Sequence, residues 1–147
     1  MKEFKLLFFI ATIVLFAGCK KPLENDLPLP NKAVTYTTIS GAWELMEWNG
    51  EALAENTCLY IEFNGREHRF DMWDNIGSMY VQHRSGTFTI SQDESERYIL
   101  SGQYDFGIGD WNNNYEVKML AEGEKMVWYA EEENSVFSRT DAIPEFN

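Results

Sequence analysis

CLYIEFNGREHRFDMW, residues 58–73, decides the class of fold. Two short apolar segments, Cys58 to Phe63 and Glu67 to Trp73, flank the pair Asn64-Gly65, and that arrangement predicts a β-hairpin. The same grammar runs in both directions. Ala42 to Trp48 reads as a strand ended by Asn49-Gly50, a tight-turn signal because both central positions of such a turn need positive φ. Ser85 to Ser91 is expected to pair with Tyr98 to Tyr104 across the polar turn Gln92-Asp93-Glu94. Tyr115 to Leu120 and Lys125 to Glu131 flank a turn around Gly123, and Val136 to Arg139 closes the set. Met79 to Gln82 reads as a further short strand or bulged extension, giving eight or nine strands; a helical turn is expected at 55–57. From Gly41 onward turn residues recur every 8 to 12 positions and no 15-residue stretch has helical periodicity, which marks an all-β sandwich or barrel.

Alternation agrees. Tyr115, Val117 and Met119 fall on one face of their strand and Glu116 and Lys118 on the other; Met126, Trp128 and Ala130 align similarly, as do Phe88 with Ile90 and Tyr98 with Leu100. Several inward faces combine a large aromatic with a thioether. Such faces suit a closed barrel whose interior is filled or encloses one small ligand.

The N-terminus reads as an address. Lys2 and Lys5 precede the apolar run Leu6 to Ala17, which ends at Gly18-Cys19, the layout of a secretory signal and too short for a membrane span. Leu15-Phe16-Ala17-Gly18-Cys19 resembles the lipobox of bacterial lipoproteins, with Phe16 where Leu is commonest. The resemblance implies a signal peptide over 1–18 and acylation, palmitate included, of Cys19, so that the N-terminal acyl chains tie the protein to a membrane. Removing residues 1–18 takes away Lys2, Lys5 and Glu3, a net +1, and moves the charge from -12 to -13; anionic headgroups would repel that surface, so the anchor is the lipid. Residues 19–38 contain Pro22, Pro28 and Pro30 among polar residues and read as a lipidated tether, with the folded domain over 39–147.

Gly41-Ala42-Trp43 at the start of the first strand resembles the Gly-x-Trp signature that opens lipocalins. That superfamily also sets a basic residue from the last strand over the indole, and Arg139 stands in that place. Trp43 to Gly50, the loop Gly107 to Asn113 and Arg139 to Ala142 resemble the small lipocalin-like lipoproteins of the Bacteroidota cell envelope. The resemblance implies an eight-stranded antiparallel up-and-down lipocalin-like β-barrel, open at one end, closed by Trp43 and Arg139, and placed in the outer membrane with its leaflet undecided.

Chemistry is expected to be binding rather than catalysis. A net charge of -12 disfavours nucleic acid, which is held by clustered Lys and Arg. No Gly-x-Ser-x-Gly elbow and no Walker-type loop appears, and His68 and His83 lack companions at metal-ligand spacing, so no enzyme, cofactor or metal is expected. Asp105, Asp110, Asn112, Asn113 and Asn114 crowd oxygens into ten residues without EF-hand spacing, and read as a long turn supported by Gly107 and Gly109. Cys58 reads as a small buried hydrophobe, and Trp111 as a cap on the core in preference to a gate. Two readings stand. One is a cup for a small apolar or amphipathic molecule lined by Phe63, Phe88, Tyr98, Trp111, Tyr115, Met119 and Trp128. The other is a filled barrel serving as accessory or inhibitor of another envelope protein.

Overall fold

A computed structural model describes residues 32–146; Cys19, the signal peptide and most of the tether lie outside them. Eight long antiparallel strands form the wall: β1 (Gly41–Trp48), β3 (Leu59–Asn64), β4 (Arg69–Asp74), β5 (Gln82–Gln92), β6 (Tyr98–Tyr104), β8 (Tyr115–Leu120), β9 (Lys125–Ala130) and β10 (Glu133–Thr140). Two-residue strands β2 (Glu51–Ala52) and β7 (Gly109–Asp110) attach to β1 and β6. Each long strand pairs with its neighbour in sequence, and β10 returns to pair with β1, so the sheet closes and has no free edge along the wall. Trp43 and Arg139, 96 residues apart, stand opposite each other in that closing ladder.

Side chains of alternate residues fill the lumen. Trp43, Ile61, Phe63, Phe70, Phe88, Leu100, Val117, Met119, Met126 and Phe137 are all buried and form one contiguous cluster. Period-two alternation therefore accounts for the core strand by strand, including Phe88 and Leu100 on β5 and β6.

The two Asn-Gly pairs do different things. At Asn49-Gly50 both residues have positive φ, 52° and 79°, and Trp48 pairs directly with Glu51, so this is a two-residue hairpin. Asn64-Gly65 opens a longer turn instead: Asn64 pairs with Arg69, and the positive φ falls on His68 at 55°. Gly65 is needed for close approach. A Cβ there would lie 1.9 Å from the Tyr36 carbonyl oxygen, and its N–H donates to Ser40 Oγ at 2.9 Å.

Those partners are the first residue and the C-cap of α1 (Tyr36–Ile39), a single helical turn the periodicity does not reveal. Thr35 caps it, accepting from the Thr38 N–H at 3.1 Å while Thr38 Oγ1 accepts from the Thr35 N–H at 2.8 Å. Val34 and Ile39 are buried in the core, so packing starts upstream of the boundary expected at residue 39. Residues 55–57, where a helical turn is expected, make a tight turn closed by Thr57 N–H to Ala54 O. Met79 to Gln82 is not a separate strand; Met79 and Tyr80 lie in the β4–β5 loop and β5 begins at Gln82.

The connections sort the barrel into two ends. The β3–β4, β5–β6 and β8–β9 turns and α1 gather at one end, and residues 49–58, 75–81, 105–114 and 131–132 gather at the other.

Candidate functional site

The α1 end is sealed. Arg139 spreads its guanidinium over the Trp43 ring, 4.1 Å from the centroid, and donates to three carbonyls: Nη1 to Ser40 at 2.8 Å, Nη2 to Thr38 at 2.9 Å and Nε to Gly123 at 3.1 Å. Trp43 Nε1–H donates to the Ile39 carbonyl at 2.8 Å. Planar donors and a stacked face use the whole geometry of arginine, so one side chain ties the last strand, the β8–β9 turn and α1 together.

The opposite end is a mouth. The β6–β8 seam has only two residue pairs, Ile99 with Glu116 and Leu100 with Tyr115. Beyond them the wall is completed by the segment that follows β7. Trp111 N–H donates to the Gly102 carbonyl at 2.8 Å, which pins that segment to β6 and turns the indole inward. The ring lies flat on Gly102, where a Cβ would come within 2.2 Å of it. Trp111 then stacks on Trp128 at 5.3 Å and meets the Phe70 ring edge-on at 5.0 Å and the Tyr115 ring at 6.3 Å. It is 8% exposed. Its indole is at once the lid of the packed half and a wall of what lies beyond.

Beyond it is a recess of about 220 Å³ inside the mouth. Leu45, Leu59, Met72, Ile76 and Phe137 give it an apolar lining, and Tyr104, Trp111, Tyr115 and Trp128 an aromatic side. Its polar groups come from the same inward positions. On β4 the series Phe70, Met72, Asp74 continues inward to a carboxylate, and on β5 the series Phe88, Gly86, Arg84 ends in a guanidinium. Asp74 and Arg84 form an ion pair, with Asp74 only 3% exposed, and Arg84 also lies over the Tyr104 ring at 5.2 Å. Glu133 accepts from Asn113 Nδ2 at 3.2 Å and from the Tyr115 hydroxyl at 3.4 Å. Burial pushes the Tyr115 phenol up to about 12, with the Glu133 charge adding to it, and burial raises that of Tyr104 too.

Of the residues expected to line a cup, the structure brings Trp111, Tyr115 and Trp128 to this recess. Phe63, Phe88 and Met119 are instead part of the packed core, where Phe63 and Phe88 meet edge-to-face at 4.8 Å. Tyr98 is half-buried at the sealed end, because it opens β6 beside the β5–β6 turn. Two of the oxygen-bearing side chains of the 105–114 loop are held by protein partners: Asp105 binds Arg69 and Ser85, and Asn114 accepts from Ser101. His68 is exposed yet stacks on Tyr36 at 3.8 Å. Cys58 is half-buried, and burial pushes its thiol up, away from reactivity. Asp74, Arg84 and Glu133 are charged and escape a search for apolar residues, and Tyr104 stands at the far end of β6 from Tyr98; extending the inward parity to each strand's end reaches all four.

A larger hollow of about 650 Å³ lies outside the barrel, between residues 141–146 and Glu62, Trp73 and His83. It is a surface trough under the C-terminal segment. Among the described residues, every buried side-chain N or O atom without a partner belongs to the mouth recess: Arg84 Nε, Trp111 Nε1 and Trp128 Nε1.

No family model matches the sequence, and no curated protein does. Among solved structures, a lipocalin-like protein from Bacteroides uniformis ATCC 8492 superposes with a TM-score of 0.50 at 13% sequence identity, covering 70% of this chain and 99% of that one. The chain is therefore a closed, eight-stranded, antiparallel barrel of lipocalin-like fold.

Proposed function

We propose that this protein is a lipid-anchored lipoprotein of the cell envelope, placed at the outer membrane through acylated Cys19, that holds a small molecule in the mouth of its barrel. The observation that carries the binding reading is the unequal filling of the lumen. One half is packed and sealed, while the other keeps a recess of about 220 Å³ walled by four aromatic rings and by the buried Asp74 carboxylate with its half-buried partner Arg84. A buried charge adds little net stability compared with apolar packing, so the place of Asp74 in this lumen favours a binding role. The lipobox-like Leu15 to Cys19 supports the anchor.

Native mass spectrometry of the full chain, purified without denaturation from the cells that make it, tests the binding reading. Extra mass lost on organic extraction supports it. A clean mass that stays unchanged after exposure to envelope lipid extract overturns it and turns the choice to a filled barrel that docks on another envelope protein. The exposed apolar side chains of the rim, Met79 at 89% and Phe106 at 96%, favour that second reading. Anchoring has its own test: Cys19→Ser should move the protein from the membrane to the soluble fraction, and a variant that still pellets with membranes refutes it.

A further inference from the structure

We infer that the mouth recess selects a compact, uncharged molecule bearing a strong hydrogen-bond acceptor, such as a carbonyl or ring nitrogen, over apolar molecules and ions of the same size. This inference rests on the small-molecule reading above. Arg84, Trp111 and Trp128 all line this one recess, and Arg84 Nε, Trp111 Nε1 and Trp128 Nε1 are buried without protein partners. Trp128 is 5% exposed and Trp111 8%. Indole and guanidinium N–H groups only donate, so each of the three calls for an acceptor. Buried donors left unmatched oppose folding, and an acceptor bound in the recess would complete them.

Charge narrows the class. The single guanidinium of the recess is already paired with Asp74, and Glu133 adds a second carboxylate. An anion would enter a site whose formal charge is already negative. A cation would suit the carboxylates but leave all three donors unmatched. Size and shape narrow it further. At about 220 Å³ the recess falls below the roughly 300–1,000 Å³ of common small-molecule sites, so a long acyl chain does not fit inside. Trp111 and Trp128, stacked on each other within 26° of parallel, close one side of that space and keep it compact.

The test uses four probes of one size: acetophenone, its apolar isostere α-methylstyrene, benzoate and benzylammonium. The full chain is labelled with nitrogen-15 in its indoles, and its five tryptophans give five N–H signals. Trp111 and Trp128 are assigned through Trp111→Phe and Trp128→Phe, or through proximity to Phe70 and Phe137 if a variant fails to fold. Acetophenone should move both signals downfield and bind at least tenfold tighter than the other three, while the Trp43 signal, already bonded to Ile39, stays still. Equal or tighter binding of α-methylstyrene overturns the inference and leaves the small-molecule reading standing. Preference for benzoate or benzylammonium does the same. If no probe moves the two signals the inference falls, and the native mass measurement decides whether the small-molecule reading falls with it.

Discussion

The sealed base and the mouth are built from the same materials, indoles and one arginine each, and differ in whether their N–H groups are satisfied. At the base, Trp43 donates to a carbonyl and Arg139 donates to three while stacking on the ring. In the mouth, Trp111 and Trp128 stack on each other with their N–H groups unmatched, and Arg84 has an idle Nε beside its ion pair. The base is organised for closure. The mouth forgoes part of that stability and keeps room, a division common where a scaffold supports a site.

That contrast can be broken from either side. The largest effect is expected from Trp43→Ala, which removes a fully buried indole together with its hydrogen bond and the platform under Arg139; urea unfolding should show a loss of about 3–5 kcal/mol. Near-unchanged stability would mean that the base is not what closes the barrel. Arg139→Lys keeps the charge but not the planar set of donors, and should cost about 1.5–3 kcal/mol in the same assay. A neutral outcome would reduce Arg139 to a point charge. Gly102→Ala acts on the other end: its methyl group would displace the Trp111 ring, costing about 1–3 kcal/mol by overpacking and changing the near-ultraviolet circular dichroism of the stacked indoles. An unaltered aromatic spectrum would show that Trp111 is not held against β6.

The smallest effect is one of pH. Tyr115 has its phenol raised by burial from about 10 to about 12. Because the folded value lies above the unfolded one, this contribution is complete below about pH 10 and is lost as pH rises towards 12. Urea midpoints should fall across that window, and the fall should be shallower in Tyr115→Phe. Equal slopes in the two proteins would place the Tyr115 hydroxyl in water.

Much of the fold could be read because β structure writes itself in a period of two. The faces of Tyr115, Val117 and Met119, and of Met126 and Trp128, follow from alternation alone, and the Asn49-Gly50 turn follows from its need for positive φ. The Asn64-Gly65 turn shows the limit of that rule. Its glycine answers to α1, a neighbour 25 residues upstream of contact at Ser40, which local turn chemistry does not contain. α1 itself is one turn long and carries no period to detect. The site was less legible than the fold. The aromatic walls at Trp111, Tyr115 and Trp128 were in view, but the choice between filling and lining depends on how far along each strand a residue sits. Phe63 and Trp128 both face inward; only their height in the barrel separates core from cavity.

The route by which the chain enters has a mechanical consequence. Lys32 pairs with Met119 and reaches the Glu122 carbonyl, and Val34 is buried just after it, so the polypeptide arrives at the sealed base. Any pull transmitted through the upstream segment is borne by the base, the end tied by Arg139. The mouth is left as the free pole of the molecule, and traffic through it need not disturb the point from which the barrel is held.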